Sequence, residues 1–184
     1  ETPDVTTTRE ALLRAMGAVG SAKFLPVLQE ALDDPSAVVR LAAVHGLGKL
    51  GKPAAAEALV PLVKDADRGI RRAAIVALGA LNGTGYIQTI IERTLPEAEA
   101  DAGVRQQAHD EAMRIIDRTD AATLERLAQR LGARTKLRPW RIRVLSARAE
   151  KLAQTDGRQV PTVLRELAAA LRADDRHAEA AKHL

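Results

Sequence analysis

The sequence predicts an all-α protein, an α-solenoid built from repeated helix pairs. Two observations support this fold class: an apolar composition almost without aromatic residues, and one pattern that recurs along the chain. Hydrophobic residues make up 46% of the 184 residues, but aromatic residues only 2%. A core of mainly Ala, Leu, Val and Ile favours closely packed helices, because strands prefer aromatic and β-branched side chains.

Four segments share the same order of small, apolar and basic residues. They begin at Thr8, Val39, Ile70 and Val104, which are 31, 31 and 34 residues apart. An arginine recurs at one position, as Arg9, Arg40, Arg71 and Arg105. A glycine recurs at another, as Gly17, Gly48 and Gly79. A register kept through four copies indicates a repeat architecture in which each unit buries its apolar face against the next.

Each unit is predicted to contain two helices. The first carries apolar residues at helical spacing, as in Leu41, Val44 and Leu47. Its predicted ends are Gly20, Gly51 and Asn82, because glycine and asparagine often terminate helices. The second helices are predicted over 22–32, 54–64, 85–95 and 121–131.

The segments "DPSAVVRLAAVHGLGKLG" and "DADRGIRRAAIVALGALN" resemble the HEAT repeat family, in particular the short bacterial form called the PBS-lyase HEAT-like repeat. The resemblance covers about residues 8–131. It implies a right-handed solenoid of about four helix pairs whose second helices line a concave face. The expected organisation is an N-terminal extension, four repeats and a C-terminal region, over 1–7, 8–35, 39–67, 70–100, 104–131 and 132–184.

The C-terminal region is expected to supply a basic linker and helices that cap the fourth repeat. Helices are predicted over 139–154 and 159–173, and the second of them has a regular apolar stripe that includes Val163, Leu167 and Leu171. The alternative is that this stripe binds a helix of a partner. The last residues, "RADDRHAEAAKHL", are predicted to form another short helix.

The stretch "GLGKLG" fits the G-x-G-x-x-G pattern of dinucleotide-binding loops at Gly46, Gly48 and Gly51. Such a loop must follow a β-strand and open a helix. The preceding residues, "DDPSAVV", are typical of a turn and a helix start. The glycines are therefore expected to allow close helix packing and to end a helix.

The repeated arginines have two possible roles. They could form a basic ladder that binds an anion, or they could pair with carboxylates in the turns between repeats. These carboxylates are Asp33, Asp34, Asp65, Asp67 and Asp101. In HEAT-like families the equivalent Arg and Asp residues tie adjacent repeats together. The resemblance therefore favours a structural role for Arg40, Arg71, Arg105, Asp33 and Asp65.

A basic segment over 130–151 contains eight Lys and Arg residues and a single acid, Glu150. Several cations beside an indole suit nucleic acid, since phosphates bind the cations and a base can stack on the ring. Alternatively, the helix that begins near Pro139 buries its tryptophan, and its arginines are solvated or bind an acidic partner. The candidate patch is Arg130, Arg134, Lys136, Arg138, Trp140, Arg141, Arg143, Arg148 and Lys151.

Motifs of catalysis are weak. The sequence has no cysteine, none of its four histidines precedes a glutamate, and its serines lack a nucleophile elbow. It also lacks the run of about 18 apolar residues that spans a bilayer. The expectation is therefore a protein that is not an enzyme and needs neither cofactor nor metal.

The sequence thus favours a scaffold or adaptor that binds another protein or peptide on its concave face, within a larger chain or assembly. The polar residues of the second helices that face outward are Lys23, Glu30, Glu57, Lys64, Gln88, Glu92, Arg126 and Gln129. The alternative is a nucleic-acid-binding solenoid that uses the basic segment. A tetrapyrrole lyase or isomerase, suggested by the name of the repeat, would need a pocket of acidic, His or Tyr side chains.

Overall fold

A computed structural model of the chain describes residues 5–132, 134–155 and 157–173, apart from the side chain of Asn82. Its α-helices are α1 Val5–Val19, α2 Leu25–Glu30, α3 Ala37–Leu50, α4 Ala56–Leu59, α5 Arg68–Glu92, α6 Ala102–Arg118, α7 Ala121–Leu131, α8 Arg138–Thr155 and α9 Val160–Ala173. Short 3-10 helices lie at Ala22–Phe24, Ala31–Asp33, Pro53–Ala55, Pro61–Lys64, Thr135–Leu137 and Gly157–Gln159. The short helix expected after residue 173 lies outside the described residues, as do His177 and His183.

The chain divides into two compact units, one ending at Ala112 and one beginning at Met113, so the boundary falls within α6. In the N-terminal unit, α3 packs against both α1 and α5. The first helices run in the same direction, because Arg9 near the start of α1 pairs with Asp34 just before α3, and Gly17 near the end of α1 meets Gly46. The first helices are thus stacked side by side, as the repeat pattern predicts.

Glycines set how closely these helices approach. A Cβ added to Gly17 would lie 2.5 Å from the Cα of Gly46, so the backbones of α1 and α3 touch at this point. A Cβ on Gly48 would lie 3.3 Å from the Cβ of Ala77 on α5. Gly51 ends α3 with a φ of 68°, a left-handed conformation that favours glycine. The "GLGKLG" stretch is therefore a helix and its end.

The third repeat differs from the prediction, because one helix, α5, continues through residues 68–92. The predicted helix end at Asn82 is therefore wrong. In the first two repeats Gly20 and Gly51 adopt positive φ and turn the chain, whereas residue 82 stays helical. The apolar spacing also continues past residue 82, and Ile87, Ile90 and Ile91 are buried. Tertiary packing thus outweighs the helix-ending tendency of "NGTG".

The second helices of the first two repeats are shorter and less regular than predicted. Each consists of a short α-helix, α2 or α4, between two 3-10 turns. Pro26, Pro53 and Pro61 lie at the starts of these pieces, where a missing N–H is tolerated and a continuous helix is interrupted. The pieces still bury Leu28 and Leu59 completely, so they close the core of their repeats.

The C-terminal unit is built on α8, which packs against α7 on one side and α9 on another. Asp120 caps α7, since its carboxylate accepts a hydrogen bond from the N–H of Thr123 at 2.9 Å. The stripe of α9 predicted from the sequence is used within this unit, because Val163, Leu167 and Leu171 are buried. None of the helices in the described part of the chain is long and apolar enough to cross a bilayer.

The close approach of α1 and α3 predicts that Gly17→Ala destabilises the fold. The new methyl group meets the backbone of Gly46, which cannot move without separating the two helices. Overpacking costs about 1–3 kcal/mol and outweighs the roughly 1 kcal/mol that Ala gains over Gly in a helix. Urea unfolding followed by circular dichroism should show a lower midpoint.

Gly157→Ala is the matched control, because nothing lies within 4 Å of an added Cβ there. It should leave the midpoint nearly unchanged. An unchanged or higher midpoint for Gly17→Ala would contradict the close helix contact.

Candidate functional site

The repeated arginines bind the loops between repeats. Arg40, on α3, donates from Nε and Nη2 to the two carboxylate oxygens of Asp65, at 3.0 and 3.1 Å. Its Nη1 donates to the backbone carbonyls of Asp34 at 2.9 Å and Pro35 at 3.1 Å. One guanidinium group therefore joins the loop before its own helix to the loop before the next first helix.

Arg71 repeats this geometry one unit later. Its Nε and Nη2 donate to the carboxylate of Glu99 at 2.8 and 3.0 Å, and its Nη1 donates to the carbonyls of Asp65 and Ala66 at 2.9 and 3.0 Å. Arg105 makes the carbonyl half of the pattern, with Nη1 at 2.8 Å from the oxygen of Glu99 and at 2.7 Å from that of Ala100. A planar fork with several donors suits this use of arginine.

The carboxylates also hold the loops in which they lie. Asp34, Asp65 and Glu99 each accept a hydrogen bond from the backbone N–H two residues later, at 2.8, 2.8 and 2.9 Å. Arg9 pairs with Asp34 at 2.7 Å and so begins the series. We call Arg9, Asp34, Arg40, Asp65, Arg71, Glu99 and Arg105 the arginine–carboxylate ladder.

Two acids of the ladder differ from the expectation. Asp33, the predicted tie, is exposed, and its place is taken by Asp34, whose side chain is 6% exposed beside Arg9. Glu99 was not expected, and it is the most buried acid of the ladder, with its side chain 3% exposed. A sequence signal existed, because each of the three acids lies six residues before the arginine of the next repeat.

The ladder lowers the pKa values of its acids. Burial alone raises the pKa of Asp65, but the hydrogen bonds from Arg40 and the N–H of Asp67, with the charges of Arg40 and Arg71, hold it below its ordinary value. The pKa of Glu99 is lowered in the same way, by Arg71, the N–H of Asp101 and the charge of Arg93 against the effect of burial. Both acids are therefore ionised near neutral pH.

The polar residues predicted to face outward from the second helices lie mainly in solvent. Lys23, Glu30, Glu57 and Lys64 are exposed in the first two repeats. On α5, Gln88 donates to Glu92 at 3.2 Å, and both are half-buried. On α7, Arg126 and Gln129 are exposed, and Arg126 donates to the hydroxyl of Thr123 at 2.9 Å.

The basic segment does not form a single free patch. Trp140 is only 7% exposed, which agrees with the alternative in which α8 buries its tryptophan rather than offering it to a base. Arg148 is buried against Glu125 at 3.0 Å, and Arg143 pairs with Asp117 at 2.7 Å.

The other cations of the segment differ in exposure. Arg130, Arg134 and Lys136 lie in solvent, whereas Arg141 is half-buried. Arg138 and Lys151 each donate to a backbone carbonyl, of Ala173 and Asp117 respectively. The cations therefore divide between the packing of the C-terminal unit and its surface.

Comparison with known proteins assigns a family to part of the N-terminal unit. The family of HEAT repeats matches residues 2–79. Residues 2–79 are HEAT repeats. This match confirms the resemblance noted in the sequence as far as residue 79, and it includes α1, α3 and the first part of α5.

Among curated proteins, this chain is similar to the phycocyanobilin lyase subunit alpha of Nostoc sp. (strain PCC 7120). The two are 35% identical over 86 residues, which are 46% of this chain and 30% of the relative. The aligned part of this chain thus spans less than a third of the relative. The HEAT repeats are consistent with a repeat scaffold.

One buried acid near the HEAT repeats was missed in the sequence. Glu111, on α6, is 1% exposed, and its carboxylate occupies the space where Gly79 lacks a side chain. The aligned position of the previous repeat is Ala77, so the repeat pattern predicted a small apolar residue there. Among the described residues, no group of His, Asp and Glu is arranged to hold a metal ion.

The ladder predicts that Arg71→Ala is much more damaging than Arg68→Ala on the same helix. Arg71→Ala leaves the buried carboxylate of Glu99 without its partner, which costs about 3 kcal/mol or more. Arg68 is 77% exposed and lies 3.6 Å from Asp101, a surface pair worth about 1 kcal/mol or less. Thermal unfolding of the two variants measures the difference, and equal losses would contradict a structural ladder.

The lowered pKa values predict a loss of stability in acid. Because Asp65 and Glu99 titrate at lower pH in the folded chain than in the unfolded chain, their contribution is complete above about pH 5. It disappears as the pH falls through their folded pKa values. Urea midpoints measured from pH 7 to pH 3 should fall more gently for Asp65→Asn, which is also less stable at pH 7.

The matched control for this series is Asp33→Asn, which changes an exposed carboxylate outside the ladder. Its midpoints should follow those of the unmodified protein. A slope for Asp65→Asn as steep as that of the unmodified protein would show that other acids govern the acid transition.

Proposed function

We propose that the chain is a non-catalytic scaffold that binds another protein through the exposed surface of its second helices. The ladder is the observation that supports this most, because it uses the repeated charges of the N-terminal unit to fix one repeat against the next. Arg40 and Arg71 each donate two hydrogen bonds to one carboxylate, at 2.8–3.1 Å, as a structural role requires. Recognition then falls to the charges that remain in solvent.

The remaining charges have the character of a protein-binding surface. Lys23, Glu30, Glu57 and Lys64 present both signs of charge on segments whose apolar residues close the core. A fixed surface of this kind binds with little loss of conformational freedom, which improves affinity. Mixed charges contribute mainly to the choice of partner and to the association rate.

The basic segment supports a nucleic-acid function less well. Binding to single strands depends on exposed aromatic rings as well as cations, and Trp140 is packed inside the C-terminal unit. Arg148 and Arg143 already neutralise Glu125 and Asp117. The cations that remain in solvent are better suited to the edge of a protein contact.

The similarity to a phycocyanobilin lyase subunit supports a second candidate, a role as part of a phycocyanobilin lyase. The aligned 86 residues are a part of that subunit, so the shared element is the repeat stack rather than a whole enzyme. The two candidates differ in whether the chain binds phycocyanobilin, which gel filtration of the mixture measures by its absorbance. Phycocyanobilin that elutes with the chain would favour the second candidate over the scaffold.

Site-specific photocrosslinking tests the scaffold function. Benzoylphenylalanine placed at Glu57 should yield one crosslinked protein of defined mass in cells of the source organism, identifiable by mass spectrometry. The reversals Lys23→Glu and Lys64→Glu should together reduce the yield at least about tenfold, because they invert the charge around the crosslinker.

The matched control carries the crosslinker at Thr7, an exposed residue of α1, which is a first helix. It should not give the same adduct. Identical adducts from both positions, or an adduct from Glu57 that ignores the charge reversals, would argue against a binding surface on the second helices.

A further inference from the structure

A groove of about 510 Å³ lies between the outer faces of two first helices, α3 and α5, in the N-terminal unit. Its floor is apolar and shallow, because glycine and alanine occupy the places nearest to the contact between the helices. Gly48 meets Ala77 across this contact, at 3.3 Å from an added Cβ. The residues that form the apolar floor are Leu41, Val44, Gly48, Ala73, Val76, Ala77 and Ala80.

The polar residues of the groove are nearly all basic. Arg72 of α5 and His45 and Lys49 of α3 lie along it, together with Gln107. Arg14 of α1 joins His45 and Lys49 in an adjoining pocket of about 310 Å³, where it also pairs with Glu10 at 2.9 Å. No acidic residue is among the described residues that line either space. The groove is therefore an apolar strip with positive charge beside it.

The two cations on the helices that form the groove are separated along its length. Because α3 and α5 run in the same direction and Gly48 lies beside Ala77, Lys49 comes one residue after this contact and Arg72 five residues before it. At a rise of about 1.5 Å per residue, the six positions amount to about 9 Å.

The end of the groove near Lys49 is positive. Partial burial lowers the pKa of His45, and the charges of Arg14 and Lys49 lower it further. A second negative group is thus favoured at this end, as well as one near Arg72.

We propose that this groove binds an amphipathic helix of a partner protein that carries two acidic residues seven positions apart. On a helix such residues share one face and are about 10.5 Å apart along the axis, close to the axial offset of about 9 Å between Arg72 and Lys49. Residues three and four positions after the first acid lie on the same face, and they would contact the floor around Val76, which is 38% exposed. This site lies on first helices, so it goes beyond the proposed function of the second helices.

A designed peptide tests this inference with the full chain. The probe is a fluorescein-labelled helical peptide of about 16 residues, with Glu at positions five and twelve, Leu at eight and nine, and Ala, Gln and Lys elsewhere. Fluorescence anisotropy should give saturable binding. The double reversal Lys49→Glu with Arg72→Glu should weaken binding at least about tenfold, and a peptide with Lys in place of the two Glu should recover binding to this variant.

Two further variants separate the groove from other surfaces. Val76→Glu places a charge on the floor and should also weaken binding about tenfold, while its thermal midpoint stays near that of the unmodified protein because Val76 is partly exposed. Lys23→Glu with Lys64→Glu, on the second helices, should leave peptide binding unchanged. The two experiments are therefore independent. Failure of the crosslinking at Glu57 would not affect peptide binding in the groove, and failure of peptide binding would not affect the crosslinking.

Three outcomes would overturn the inference. One is peptide binding that the reversal of Lys49 and Arg72 does not change. Another is equal binding of the acidic and the charge-swapped peptides to the unmodified protein. The third is self-association in sedimentation experiments that Val76→Glu abolishes, since the occupant of the groove would then be a second copy of the chain.

Discussion

The N-terminal unit depends on one interaction, an arginine that holds two loops at once. Arg40 and Arg71 each bind the carbonyls before their own helix through Nη1 and the next acid through Nε and Nη2. The acid in turn binds the N–H two residues later, so the loop that starts each first helix is fixed from both sides. Hydrogen bonds of fixed geometry thus join each repeat to the next, in addition to the apolar packing of the helices.

Close helix packing follows from the same arrangement and has a consequence for the surface. With the loops fixed, the helices approach until small residues meet, as Gly17 meets Gly46 and Gly48 meets Ala77. Because these small residues have short side chains or none, they do not fill the space above the contact, and the groove between α3 and α5 is the result. Stability and the groove therefore have one origin in the sequence, the glycine and alanine positions of the repeat.

Features that recur in the repeats could be predicted from the sequence, whereas features in which one copy departs from the others could not. The recurring arginines and the first helices could be predicted, because four copies average out local exceptions. Asp34 rather than Asp33, and the continuation of α5 past residue 82, depend on local backbone conformation within a single copy. Trp140 presented a real ambiguity, since an indole among arginines suits a base or a core equally, and only the packing of α8 decides it.

The division between repeated and variable positions also bears on the proposed binding of a partner. Arg71 and Arg72 are adjacent, but a helix turns by about 100° between them, so Arg71 faces the loops and Arg72 faces solvent. The position of Arg71 is arginine in every copy, whereas the position of Arg72 is Glu10, Leu41 and Gln106 in the others. The recurring arginine and the acid that it binds keep their charges from repeat to repeat, whereas a position that faces solvent changes. Under the proposed function, the variable residues of the first and second helices are therefore those that would select a partner.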